Sequence, residues 1–288
     1  MERFRWWCHK FGASQLIGDI STEVLREFLL YVKTATNRWG IGSTSSRKKA
    51  SLSTVDAYWR TLQAFFSFLV GDEYLSEEQN PMRKIQRTKA EEKIIKDIPA
   101  PMILKVLELF GGNTPLAIRN RAIFMVFIDT GGRLSEVTGL KLADLDLVNG
   151  RARVDGKGGI ERFTGLGPYT VETLKLYLST HLRTNGLLWL KADGSPLGYF
   201  GIQTLIRRLK KLGADLRWTP HTLRNTFAMN FLRAGGDPFT LQILGGWKDL
   251  DMPRHYTAAL TAEDALKVHR RASPVDFIIN GKKDKPNS

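Results

Sequence analysis

Apolar side chains recur every three or four positions through the first ninety residues, the spacing of helices with one buried face. Val24, Leu25, Phe28, Leu29 and Val32 fall on one such face behind Ser21 and Thr22, both suited to cap a helix start. A wider stripe of Val55, Tyr58, Trp59, Leu62, Phe65, Phe66 and Leu69 follows Ser53-Thr-Val-Asp and stops at Gly71, which predicts a core helix. Between the two runs the polar segment Gly42-Ser-Thr-Ser-Ser-Arg-Lys-Lys-Ala-Ser, with Arg47, Lys48 and Lys49, reads either as a phosphate-contacting loop or as a solvated connector. Asn80-Pro81 closes the region. The charged stretch 83–97, poor in bulky apolar residues, leads to Pro99 and Pro101 and reads as a boundary between domains.

Beyond it the pattern is mixed. Residues 102–110 and 119–128 have helical periodicity, 151–154 and 161–164 read as short strands around Asp155-Gly-Lys-Gly-Gly, and helices resume from Val171. The polar end 280–288 is expected to be a disordered tail. The fold class predicted is therefore mainly α with a small β-sheet.

Charge narrows the partner. With 43 Lys and Arg against 29 Asp and Glu in 288 residues, the chain carries a formal charge of +14, which favours a polyanion such as nucleic acid over a merely solvated basic surface or anionic membrane. A single cysteine, Cys8, and a start lacking an apolar leader fit a reducing, cytoplasmic setting. The five histidines are scattered with no ligand spacing and there is no phosphate-binding glycine loop, so neither a metal nor another cofactor is expected.

Four segments carry candidate chemistry. In Thr130-Gly-Gly-Arg-Leu-Ser-Glu, Arg133 and Glu136 lie three apart on one helical face; an ordinary capped helix with an ion pair has the same look. Lys157 stands among glycines at a hairpin tip, where the backbone can approach another chain closely. His221 and Arg224 form a second pair three apart, on a helix opening after Pro220 that carries Leu223, Phe227, Met229 and Phe231 towards a core. The last segment is Leu244-Gly-Gly-Trp247, with Tyr256 nine residues further on, before Thr261-Ala-Glu-Asp, a cap for a final helix.

Taken in order, the T-G-x-R-x-S-E box, the G-K-G hairpin, the H-x-L-R box and the L-G-W…Y box resemble the signature of the tyrosine recombinase (phage integrase) family, and the resemblance covers nearly the whole chain. It implies a helical, SAM-like core-binding DNA-binding domain over 1–90, lacking part of its usual first helix, a linker at 91–98 and a mixed α/β catalytic domain over 99–279. Two positions depart from the common pattern. Asn225 follows Arg224 where many members have histidine, at a place outside the usual catalytic set, and Trp247 stands where most have a second histidine, as in some active members.

The resemblance also implies the reaction. Tyr256 would attack a DNA phosphodiester and become linked to the 3′ phosphate, Arg133 and Arg224 would neutralise the non-bridging oxygens, Lys157 would protonate the departing 5′ oxygen, and His221 would take the phenolic proton. Trp247 would donate one indole N–H and order the segment bearing Tyr256. Glu136 would hold Arg133 or a neighbouring hairpin in place, or be a plain surface ion pair. The implied partners are a double-stranded recombination site contacted also by Arg47, Lys48 and Lys49, further copies of the chain in a synaptic tetramer exchanging strands through a Holliday junction, and an accessory DNA-bending protein. The role would be integration, excision or resolution of a mobile element. A type IB topoisomerase shares this chemistry, and a non-catalytic DNA-binding regulator would share only the basic surface.

Overall fold

In the computed structural model the described residues are 1–36, 38–39, 48–88, 95–156, 161–181, 185–213 and 218–283; Arg47 and Lys157 lie outside them. The chain divides into two compact units, Met1–Lys93 and Ile94–Ser288. Among the described residues no helix is long and apolar enough to cross a membrane.

The first unit is built on helices α1 (Glu2–Phe11), α2 (Thr22–Thr34) and α3 (Leu52–Gly71), with single 3-10 turns at Ile17–Asp19 and Pro81–Lys84. Ser21 starts α2 by accepting the Val24 N–H. Ser51, not Ser53, plays that part for α3 by accepting the Thr54 N–H, so the helix opens two residues earlier than a cap at Ser53 suggested. The predicted faces are the ones buried: Leu25, Phe28 and Val32 of α2 meet Leu62 and Phe66 of α3, with Phe4 and Trp7 of α1 completing the core. Arg38, itself buried, donates to the carbonyls of Ala35 and Lys48 at 2.7 Å each and thereby anchors the backbone beside the exposed Lys48 and Lys49.

The second unit runs α4 (Ala100–Leu109), α5 (Pro115–Thr130), α6 (Leu134–Gly139), β1 (Leu145–Asp146), β2 (Arg151–Asp155), β3 (Glu161–Gly165), α7 (Pro168–Ser179), α8 (Tyr199–Arg208), α9 (Pro220–Arg233), α10 (Pro238–Gly245), α11 (Asp251–Thr257), α12 (Ala262–Arg271) and α13 (Pro274–Lys283). The strands form one antiparallel sheet in the order β1-β2-β3, with Arg153 opposite Phe163; β1, two residues long, is too short to leave a periodic signal. At the centre lies α9, buried without a break from Thr222 to Met229 and packed on α5, α10 and α11. An element enclosed on several sides must satisfy its polar groups internally, and this one does: Thr226 Oγ1 donates to the Thr222 carbonyl and accepts the Ile98 N–H. Leu232, rather than Phe231, continues the buried face.

Three boundaries differ from the sequence reading. Residues 95–98 are not a free linker, because Ile95 packs against the buried cluster that includes Leu241 and Tyr256, Ile98 is buried, and Asp97 pairs with Arg233 of α9. Apolar residues at 95 and 98 give that short segment its hold. The helix opened by Thr261 is not the last, since α13 follows it, and α13 carries helical backbone to Lys283, into the expected disordered tail.

Candidate active site

The turn from α5 into α6 places the first cation. α5 ends at Thr130 because Gly131 follows in the left-handed region at φ 57°, against the ring of Phe227, where a Cβ would lie 2.2 Å from ring carbon. Arg133 then precedes α6, and its backbone N–H donates to Glu136 at 2.8 Å. The same carboxylate accepts the Arg133 guanidinium at 2.5 Å and both terminal nitrogens of Arg162, from β3, at 3.1 and 3.0 Å. The Glu136 side chain is 2% exposed. It is no surface ion pair: it holds Arg133 and the hairpin strand together. Burial alone would raise its pKa, but the hydrogen bonds from Arg162 and from the Arg133 backbone and side chain reverse that and hold it at about 2.

Arg224, buried on α9, donates to the carbonyls of Gly131 at 2.7 Å and Gly245 at 2.6 Å and lies 4.3 Å above the Trp247 ring. Desolvation, then the charge of Arg133, lowers its pKa to about 10, with Glu136 opposing. It stays cationic at neutral pH.

One helix end receives all three arginines. At the C-terminus of α10, Leu244 O accepts from Arg162 Nε at 3.1 Å, Gly245 O from Arg224, and Gly246 O from Arg133 at 3.5 Å. Carbonyls at a helix end lack intrahelical partners and sit at the negative pole of its dipole, so guanidiniums suit them. Gly245 is needed for close approach, since a Cβ there would meet the Trp247 ring at 1.9 Å. Three guanidiniums against one carboxylate leave a surplus of two positive charges, the electrostatics of a phosphate site.

Tyr256, on α11, is fully buried, 5.6 Å from Trp247 between ring centroids, and its hydroxyl donates to Asn225 Oδ1 at 2.9 Å. Burial pushes the phenol pKa up, and the charge of Arg224 works against that. His221 lies in the first turn of α9, which Thr219 caps by accepting the Thr222 N–H at 3.1 Å. Its side chain is exposed; partial desolvation of the ring, then the charge of Arg224, lowers its pKa and favours the neutral, proton-accepting form.

Arg133 with Glu136, and Arg224 with Trp247 and Tyr256, are thus two contact groups brought together on the carbonyls at the end of α10, with His221 coupled electrostatically to Arg224. Lys48 and Lys49 belong to the first unit. Among the described residues no group of His, Cys, Asp or Glu is placed to hold a metal ion. Sequence reasoning missed Arg162, and it noted Asn225 only as a departure outside the usual catalytic set. The signal for Arg162 was its position two residues before Thr164, which puts a charge on the same face of β3 as a buried residue.

Residues 99–263 match the model of the phage integrase family. Tyrosine recombinase XerC of Halalkalibacterium halodurans is 31% identical over 233 residues, 77% of this chain and 76% of that protein. XerC of Bacillus licheniformis is 32% identical over 213 residues, 71% of this chain and 69% of that protein. Among solved structures, XerH site-specific recombinase in a post-cleavage complex with palindromic difH substrate aligns with a TM-score of 0.68 at 23% identity, over 95% of this chain and 77% of that one. The Tn1549 transposon integrase in complex with transposon right end DNA aligns at 0.66 and 19% identity, over 90% and 87%. At these identities the two structures share the fold.

Proposed function

This chain belongs to the phage integrase family and is a tyrosine-type site-specific DNA recombinase, and from that premise we propose that Tyr256 is the nucleophile of a site assembled around the arginine cluster. The observation that carries this reading is the surplus of guanidinium charge beside a tyrosine packed on Trp247, with Arg224 over the same indole.

Tyr256 Oη attacks the scissile phosphorus, the bond from phosphorus to the 5′ oxygen breaks, and the 3′ phosphate is left on the phenol oxygen. Arg133 and Arg224 neutralise the non-bridging oxygens; their planar forks stay charged throughout, so they stabilise the transition state without exchanging protons. Neutral His221 takes the phenolic proton and Lys157 supplies one to the 5′ oxygen. Trp247 donates its indole N–H to a non-bridging oxygen. Attack of a 5′ hydroxyl from another strand on the phosphotyrosine rejoins DNA without an external energy source, because the phosphoester bond is conserved. Exchange between two duplexes calls for four protomers acting pairwise through a Holliday junction, and serves integration, excision or resolution of a mobile element. The first unit grips the flanking duplex, with Lys48, Lys49 and Arg47 on phosphates.

The test is a suicide duplex, nicked so that the short fragment released with a free 5′ hydroxyl diffuses away. The wild-type protein accumulates a denaturant-resistant adduct. Tyr256→Phe binds the duplex equally and forms none; an adduct with the Phe variant refutes the assignment.

A further inference from the structure

Nothing in the reaction above uses Asn225, yet it is the partner that holds the nucleophile. Its side chain spans two groups: Oδ1 accepts from the Tyr256 hydroxyl at 2.9 Å and Nδ2 donates to the Lys96 carbonyl at 3.3 Å. The second contact determines the sense of the first. A peptide carbonyl can only accept, so the amide must turn its NH2 towards Lys96, which leaves only its oxygen for the phenol. The phenol is then obliged to donate.

The carbonyl that imposes this is itself fixed. Directly after Lys96, Asp97 pairs with Arg233 and the Ile98 N–H donates to Thr226 Oγ1 at 2.9 Å, so the segment is tied to α9 at the two residues that follow the carbonyl. Asn225 is buried, with little water to replace either bond. Ionised tyrosine has no proton to donate and would set an anionic oxygen against the amide oxygen. An arriving phosphate competes for an oxygen already engaged.

We infer that Asn225 is a positioning residue that holds Tyr256 in a resting, proton-bearing state, which must be released before attack. It opposes the reaction in the free enzyme, in contrast to the arginines that promote it. Arg224 of α9 and His255, beside Tyr256 on α11 at 6.4 Å between ring centroids, are the charged and titratable neighbours; both remain when Asn225 is changed.

The inference rests on Tyr256 as nucleophile, and its test uses two readouts on the full-length protein. The first needs no DNA: 3-fluorotyrosine at position 256 is titrated by fluorine NMR in the wild type, Asn225→Ala and Asn225→Asp. The second is the single-turnover rate of adduct formation at saturating suicide duplex, with tyrosine at 256. Removing the acceptor should lower the phenol pKa by roughly half a unit or more and speed adduct formation roughly five-fold, the weight of one net hydrogen bond. A carboxylate at 225 opposes phenolate formation by charge as well, so Asn225→Asp should titrate above the wild type and react more slowly. Opposite signs for the two variants are not expected of a side chain that only fills space, whose loss slows both. Thermal melts check folding, and Asn225→Ser, too short to span both partners, replaces Asn225→Ala should that variant not fold. A phenol that titrates alike in all three proteins, or an Asn225→Ala rate equal to or below that of the wild type, overturns the inference. The nucleophile assignment fails by a separate result, an adduct with Tyr256→Phe.

Discussion

Each unit contains a carboxylate clasped by two arginines, and the two clasps differ in depth. In the first, Asp56 of α3 pairs with Arg60 at 3.1 Å and Arg87 at 2.7 Å; the guanidiniums cover the carboxylate, but both reach it from solvent, with side chains 60% and 42% exposed. In the second, Glu136 pairs with Arg133 and Arg162, the latter only 10% exposed, and a third guanidinium, Arg224, stands by with carbonyls as its hydrogen-bond acceptors. The core of the first unit mixes aliphatic and aromatic side chains, with Phe28 in edge contact with Phe4 at 4.9 Å and Tyr58 at 5.6 Å. Water screens both arginines of the shallow clasp, whereas in the deep one Arg133 is 38% exposed but Arg162 and Glu136 are left mainly to protein dipoles to offset desolvation. A deep clasp is a poor device for stability alone. Under the function proposed above, its use is to keep surplus cations in place before their phosphate arrives.

That contrast can be broken in three ways. The largest effect is expected from Glu136→Ala, which strands Arg162 and Arg133: about 4 kcal/mol of unfolding free energy should be lost by urea denaturation, together with adduct formation. A loss no greater than for a surface pair would show that the clasp is not deep in the energetic sense. Acid should produce a smaller effect of the same origin. The folded pKa of Glu136 is depressed from 4.5 to about 2, so its stabilisation is complete above the unfolded value and falls away as pH drops from 4.5 towards 2. Between pH 5 and pH 3 the wild type should lose roughly 2 kcal/mol more than Glu136→Gln, which has nothing to titrate there. Parallel curves for the two proteins would contradict the depressed pKa. The smallest effect belongs to Asp56→Ala, whose exposed arginines can turn to solvent; its denaturation midpoint should move less than that of Glu136→Ala, and adduct formation per bound DNA should stay near wild type. A shift equal to that of Glu136→Ala would erase the distinction between the two regions.

The unequal legibility of the molecule follows from the same difference. Apolar periodicity identified α2, α3 and α5, because a helix with one buried face records its burial in its own spacing. The arginine, histidine and tyrosine of the site were legible through short boxes in which glycines mark where backbones must turn or approach, as at Gly131 and Gly245. Arg162, and the contact that Asn225 makes, were not. Arg162 meets a carboxylate 26 residues away and Asn225 a hydroxyl 31 residues away, and neither distance follows any local period. The hold of residues 95–98 on α9 was hidden for a like reason: two isoleucines in a charged stretch look like noise until Thr226 and Arg233 are seen opposite them.

The tripeptide Leu244-Gly245-Gly246 offers its carbonyls in succession to Arg162, Arg224 and Arg133, and so acts as a keyed mount with one slot per cation. Its error mode is one of register. Deleting or inserting a single residue just before it would move every slot by one and hand each guanidinium its neighbour's carbonyl, so the charges would be kept while their triangle was lost. Such a slip would leave composition, net charge and helix content almost untouched. Length at this point of the chain is therefore as much a part of the candidate site as the identity of any side chain in it.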